Sequence, residues 1–537
     1  MKKTRATIVA LVLAIMMAIP TIAIAQTMDD VPQRTENGVV YVALRLTAYA
    51  HGATVEWNGE TRTVYITDAD GNKQEVIVEA VGGFIEDGTS WIPLELANLL
   101  FQREGYNDVA EIAFDFMAKF AAGDIQGMFQ MMSAEMQAVG AEVFAGLHQM
   151  ALLQRGSFIG WDIADSQTAQ GFYIFDFTVN SVIGVSTRRI IVNADGEIAD
   201  FTDLGFVLVP IPVAEDAAYT AEPVIIGEGT QWALDGLLTI PNEASAENPV
   251  PAVVLVHGSG ANNMDTSIFD NRPFHDIATH LSSNGIAVLR YNERGFTHGA
   301  VIRQYFGIAD GEVGLPPSIL WEYQDAFLAI EILQADPRIS RVYVAGHSLG
   351  GFVASHIAEE SEADGVILLA GSPRPIHYML FDQSVQALND TVLAGLMTQE
   401  AADELIAMIA AFLEEAQNLQ NLTEEEVQGM MVWGGSLRAD YVRSLYDILP
   451  LPIISRNIIP TLILHPDGDF QVFTDPDFNM FVEHTRDYAH VQTILYYNLN
   501  HLFMPVQTPF NDIREYAIPG NVCEQVLRDI VEWIHAN

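Results

Sequence analysis

The sequence predicts an α/β protein whose C-terminal part is an eight-stranded, mostly parallel sheet with a helical lid, preceded by two small α+β domains. Three observations lead there. From about residue 222 apolar β-rich runs alternate with runs of helical period to the end of the chain, which argues a sheet covered by helices on both faces. A serine between glycines, Gly346-His347-Ser348-Leu349-Gly350, falls at one of these strand-to-helix junctions. The residues before about 210 carry two other patterns, and at 537 residues the chain exceeds what one hydrophobic core serves.

Composition narrows the function. Asp+Glu number 70 against 25 Lys+Arg, a net charge of −45 that repels nucleic acid and anionic headgroups, so no nucleic-acid partner is expected. Lys2, Lys3 and Arg5 precede an apolar run from Ala6 that ends in Ala23-Ile24-Ala25, the pattern of a signal peptide over residues 1–25. A secreted or cell-surface protein is expected. The run is also long enough to span a bilayer, which leaves an uncleaved anchor as the alternative. Cys523 is the only cysteine, so there is no internal disulfide and no cysteine-rich metal site.

The first domain, over residues 30–105, shows a repeat. Val40-Tyr41-Val42-Ala43-Leu44 is echoed by Ser90-Trp91-Ile92-Pro93-Leu94, and between them Thr54 to Trp57 and Thr63 to Thr67 alternate like strands about the turn Asn58-Gly59. The segment resembles the copper-amine-oxidase-N-terminal-like module of secreted proteins. His51 is its one histidine, which makes a copper site a poor reading and a structural or cell-wall-associating role the better one. The second domain, over 107–210, begins with amphipathic helices and ends in strands at 171–179 and 188–193. It resembles an uncharacterised α+β domain found ahead of secreted hydrolases. Its methionines at 128, 131, 132 and 136 suit adaptable core filling better than a ligand pocket.

Over 222–537 strands are read at 223–226, 234–240, 252–257, 286–291, 341–345, 365–370, 460–465 and 491–497. Helices are read at 272–283, 321–335, 349–360, 475–487 and 520–535. The stretch from about 374 to 452 is too long for a turn, and its helical runs suggest a lid. Met379, Leu380, Met397, Met408, Met430, Met431 and Trp433 either line an acyl pocket beneath it or pack it on the body.

The candidate chemistry starts at Ser348, because glycines at 346 and 350 permit a sharp turn that exposes the hydroxyl at its tip. A serine needs a base, and the base needs an acid to fix its tautomer. In the order Ser, Asp, His, the acid follows the seventh strand, where Asp469 in the turn ahead of Gln471-Val472 is preferred and Asp467 is read as a turn former. The base follows the last strand, at His501. His484, His490 and His535 are read as surface or packing residues, and His347 as packing. An oxyanion would be held by the amide of Leu349 and by that of Ser259, with Gly260 the alternative. His257 is read as a support of that loop.

Together Val256-His257-Gly258-Ser259-Gly260, Arg290-Tyr291-Asn292-Glu293-Arg294, Gly346-His347-Ser348-Leu349-Gly350-Gly351, Asp469-Phe470-Gln471-Val472 and Leu499-Asn500-His501-Leu502-Phe503 resemble a secreted bacterial α/β-hydrolase of the esterase and dienelactone-hydrolase-like group, some of whose relatives are serine aminopeptidases. The resemblance implies carboxylesterase action on short or aryl acyl esters through a Ser-His-Asp triad, a small-molecule ester as partner, and neither metal nor organic cofactor. Serine peptidase action on the same triad, and a catalytically inactive binding protein, are the alternatives. One departure stands out: such sequences often carry Asp-Arg-Asp after the glycine loop, whereas Asn262-Asn263-Met264-Asp265-Thr266 here lacks the arginine.

Overall fold

The computed structural model describes residues 108–306, 316–393, 395, 397–508 and 512–537, together with seven strands between 33 and 93. The signal-peptide reading and His51 lie outside the described residues. By contacts the chain divides into two units. One is made of Pro212–Ser267 and Asn271–Asn537, and the other holds the described residues up to Ile211 with Ile268–Asp270.

In the N-terminal segment Val39–Ala43 and Thr89–Pro93, the two halves of the repeat, pair antiparallel in one four-stranded sheet, and Thr54–Asn58, Thr63–Thr67 and Lys73–Ile77 form a separate three-stranded one. Helices Asp108–Ala122, Ile125–Met131 and Ala141–Arg155 then precede an antiparallel sheet of four strands, Phe158–Ala169, Phe172–Ser181, Gly184–Val192 and Ile198–Leu208, each paired with its neighbour in sequence. Gly123 has φ +71° and ends the first helix, and the Asp124 carboxylate caps the next by accepting the Gly127 amide at 2.8 Å. Met128 and Met132 lie buried among Phe116, Phe120 and Phe177, so the methionines fill core. Phe158–Ala169 and Ile198–Leu208 escaped the sequence reading because their outer halves are exposed, which leaves half of each strand without an apolar alternation to detect.

The strands of the large sheet are numbered β1 to β8: Tyr219–Ile226, Leu234–Pro241, Val250–Val256, Ala287–Tyr291, Ile339–His347, Gly365–Leu369, Thr461–Pro466 and Val491–Tyr496. Their spatial order is β1-β2-β4-β3-β5-β6-β7-β8. β2 pairs antiparallel with β1 and β4, and every pairing from β4 to β8 is parallel. This is the α/β-hydrolase fold. β4, β6 and β7 are buried at every residue, as strands covered on both faces must be, and so they read as mostly apolar runs.

The helix read from 475 is a distorted π-helical turn over Thr474–Phe478 and α-helical only from Asn479. Pro476 cannot continue a helical hydrogen-bond ladder, and Asp475 before it is extended at φ −113°, ψ 116°. The last helix begins at Glu524 rather than 520, and ahead of it the amides of Gly520 and Val522 bond the side chains of Asn271 and Asp276. Between β6 and β7 the chain forms helices Ile376–Leu393, Gln399–Asn418, Ala439–Leu445 and Pro450–Arg456. Leu388, Ile409, Val427 and Trp433 form a core within this insertion, with Leu380 and Met397 packed against it, so these last three candidates for an acyl pocket serve packing.

The insertion is tied to the sheet. Asp477, fully buried, accepts from Arg374 Nε and a second guanidinium nitrogen, both at 2.8 Å, and Arg374 also pairs with Asp382 on the first helix of the insertion at 2.7 Å. Gln383 on the same helix donates to the Gln471 carbonyl at 2.7 Å, in the turn that carries Asp469.

Candidate active site

The carboxyl ends of the parallel strands carry the candidate triad and oxyanion residues. Ser348 follows β5, Asp469 follows β7, His501 follows β8, and Ser259 lies in the loop after β3. Ser348 sits at φ 57°, ψ −119°, outside the regions that L-residues favour, in a strained turn of the kind that can project a nucleophile. Two glycines allow it. A Cβ at Gly346 would lie 2.1 Å from the Gly350 carbonyl oxygen, and one at Gly350 would lie 2.3 Å from the His257 carbonyl oxygen, so strand, helix and loop meet backbone to backbone. The helix Leu349–Glu360 starts at the serine, and its first amides, Leu349 among them, have no carbonyl one turn back to bond.

The loop after β3 rests directly on the serine: a Cβ at Gly258 would come within 2.9 Å of the Ser348 Cβ and 3.2 Å of the His347 carbonyl oxygen. Gly258→Ala should therefore push this loop off the elbow, lowering kcat by about 100-fold and stability by about 1–3 kcal/mol. Steady-state kinetics beside thermal melting check both. An alanine variant with wild-type kcat would show that the loop's closeness is unimportant.

Asp469 and His501 are joined. Asp469 Oδ2 lies 2.6 Å from His501 Nδ1, and both residues are buried. The other carboxylate oxygen, Oδ1, accepts the amides of Gln471 at 2.8 Å and Val472 at 2.9 Å. Burial alone would raise the Asp469 carboxyl. The His501 imidazole and its hydrogen bond, with help from His465 and the Val472 amide, hold it below its ordinary value of 3.8 instead. The Asn500 side chain fixes the turn that carries His501, its Oδ1 accepting the amides of Leu502 at 3.0 Å and Met504 at 3.2 Å. Asp467 is exposed and accepts the Asn498 amide at 2.6 Å, a turn former as its position suggested.

The lowered carboxyl has a consequence for stability. On acidification the unfolded chain takes up this proton first, so the contribution of Asp469 is complete above about pH 4 and is lost as pH falls through its lower folded value. Asp469→Asn should therefore flatten the pH dependence of the melting temperature below about pH 4. Wild type and variant melting curves that stay parallel there would contradict this.

His347 ties the loop that carries His501 to the turn at Ser348. Its Nε2 donates to the His501 carbonyl at 2.9 Å, and the two imidazoles lie 4.6 Å apart by ring centroids, so His501 stands against the residue that precedes Ser348. Burial, with His501 nearby, pushes His347 down to about 3, and it serves as a neutral brace. His257 is likewise pushed down to about 4 by burial. Its Nε2 donates to the Tyr291 carbonyl at 2.6 Å and its Nδ1 accepts from Thr266 at 2.8 Å, which suits a support of the loop. Ser259 itself is exposed at the loop tip.

Sequence reasoning missed the groups that hold this loop. Asp265 is buried and pairs with Arg290 at 2.8 Å and Arg272 at 3.2 Å, so an arginine reaches this aspartate from β4 although the Asp-Arg-Asp run is absent. The signal was the arginine inside an otherwise apolar β4. Asn262 and Glu293 form a second tie, described below. Among the described residues one group could hold a metal ion, His356 with Glu359 and Glu360, but Glu359 already pairs with Arg456 and the group lies along the helix after Ser348, away from the strand ends.

Known proteins agree with this architecture. A family model described as serine aminopeptidase, S33, matches residues 247–504, and one described as copper amine oxidase N-terminal domain matches residues 22–96. Among solved structures, Est1E from Butyrivibrio proteoclasticus is similar at a TM-score of 0.34 and 15% identity, covering 58% of this chain and 96% of that one. The Pyrococcus horikoshii acylaminoacyl peptidase is similar at a TM-score of 0.38 and 13% identity, covering 71% and 56%. Esterase EstD of Thermotoga maritima is 31% identical over 372 residues, which are 68% of this chain and 80% of that protein. With so much of EstD shared in sequence, the chain belongs to the α/β-hydrolase family that includes this esterase, and it is a hydrolase.

Proposed function

We propose that this chain is a secreted serine carboxylesterase that hydrolyses short or aryl acyl esters through an acyl-enzyme. Ser348 Oγ attacks the ester carbonyl as its proton passes to His501 Nε2. The alcohol leaves with that proton, and water, activated by the same nitrogen, releases the acid and restores the serine. Asp469 orients His501, while the amides of Leu349 and Ser259 hold the oxyanion. The observation that carries the reading is the buried 2.6 Å Asp469–His501 pair set against the residue before a serine at positive φ. The basic and apolar N-terminus supports export, and the module near it supports cell-wall association.

Peptidase action is the second reading, favoured by the match to the serine aminopeptidase model. A peptidase of that kind needs an acidic site for a free substrate amine. The acids of the insertion that could supply one, Glu400, Asp403 and Glu404, are all exposed on the helix Gln399–Asn418, where water already solvates them. This exposure supports esters over amides as substrates. Turnover of a panel of p-nitrophenyl esters against aminoacyl p-nitroanilides decides the matter: the proposal expects ester hydrolysis that Ser348→Ala abolishes, and amide turnover exceeding ester turnover would sink it.

A further inference from the structure

We infer that Asn262, held by Glu293, is the positioning residue that sets the direction of the Ser259 amide, an inference that rests on the serine-hydrolase reading proposed above. The carbonyl of Gly258 and the N–H of Ser259 belong to one planar trans peptide and point to opposite sides of the chain. Whatever grips that carbonyl also aims the amide. The Asn262 side-chain nitrogen donates to the Gly258 carbonyl at 3.2 Å and lies 3.5 Å from the Ser259 carbonyl, so the loop is gripped on the side away from its free amide.

Asn262 is itself clamped at three points. Glu293 Oε2 accepts its backbone N–H at 2.7 Å and its side-chain N–H at 2.9 Å, while the Glu293 N–H donates to the Asn262 carbonyl at 3.0 Å. Glu293 is buried and follows β4 by two residues, a rigid base in the sheet. Tyr323 secures the other end of the loop by donating to the His257 carbonyl at 3.2 Å. Burial, and then the nearby Glu322, push the Glu293 carboxyl well above the usual range. Because both bonds fall on one oxygen, the amide oxygen of glutamine can take its place.

The test uses the full-length protein as Asn262→Ala, Glu293→Ala and Glu293→Gln. Each is assayed with p-nitrophenyl acetate and with an aryl trifluoromethyl ketone, whose adduct at the serine carries the oxyanion. Asn262→Ala and Glu293→Ala should lower kcat by about 10- to 100-fold with KM within about threefold, and weaken the ketone by a similar factor, whereas Glu293→Gln stays within about threefold of wild type. Wild-type kcat and ketone affinity in Asn262→Ala overturns the inference, as does a loss confined to KM or a Glu293→Gln that fails as badly as Glu293→Ala. Should an alanine variant not fold, Asn262→Asp keeps the size and removes the donor, and retained kcat there overturns it equally. Fluorophosphonate labelling of Ser348 in the wild type separates the two levels: no labelling sinks the serine-hydrolase reading, while labelling with an indifferent Asn262→Ala sinks only the clamp.

Discussion

Ser348→Ala is expected to lower ester turnover by about 10⁶-fold, because no acyl-enzyme can form and the surviving amides can only assist direct attack by water. Folding should be nearly untouched. The strain at φ 57° belongs to any residue with a Cβ, so alanine inherits it unchanged, at a cost of about 1–3 kcal/mol. Ser348→Gly sharpens the argument: equally inactive, it should melt higher than the alanine variant, by about 1 kcal/mol in stability, because glycine adopts positive φ freely. Kinetics with p-nitrophenyl esters and melting curves of the three proteins check both halves. An alanine variant within tenfold of wild type would mean that another group attacks the ester.

The strand positions and the order of the candidate triad were legible because each rests on a local signal. Parallel strands covered on both faces give mostly apolar runs, which is why β3 to β7 stand out. The glycines around Ser348 are visible because the elbow packs backbone against backbone, a demand that side chains cannot meet. Asp469 could be preferred over Asp467 from position alone, and the structure shows why the two differ. Asp469 has one oxygen on the amides of Gln471 and Val472 and the other on His501, while Asp467 spends itself on the Asn498 turn.

What stayed hidden depends on contacts across long sequence separations. Asn262 meets Glu293 thirty-one residues later, and Arg374 meets Asp477 across the whole insertion; no periodicity encodes either pairing. The antiparallel strands before residue 210 were half hidden for another reason. One end of each is solvated on both faces, so burial, and with it the alternation of apolar residues, runs out partway along. Within the insertion, the apolar residues could have faced either a pocket or one another, and the cluster around Trp433 and Ile409 resolves several of them as packing.

Asp469→Asn should lower kcat by about 10⁴-fold with little change in KM, and the reason lies in the two oxygens of this carboxylate. Oδ1 accepts two backbone amides, from Gln471 and Val472, so the single carbonyl oxygen of an asparagine must stay on that side; turning its NH2 there would set donor against donor. The NH2 then faces His501 Nδ1, where the carboxylate stood at 2.6 Å. Nδ1 is forced to accept, the ring proton moves to Nε2, and the nitrogen that should take the Ser348 proton already carries one. Geometry survives while the tautomer is wrong, which distinguishes this variant from one that merely unfolds the turn. Fluorophosphonate labelling should slow along with turnover, since attack by the serine needs the same base. Asp467→Asn, outside the relay, should stay within a few-fold of wild type. If instead the loss followed Asp467 and spared Asp469, the acid of the relay would have been misassigned.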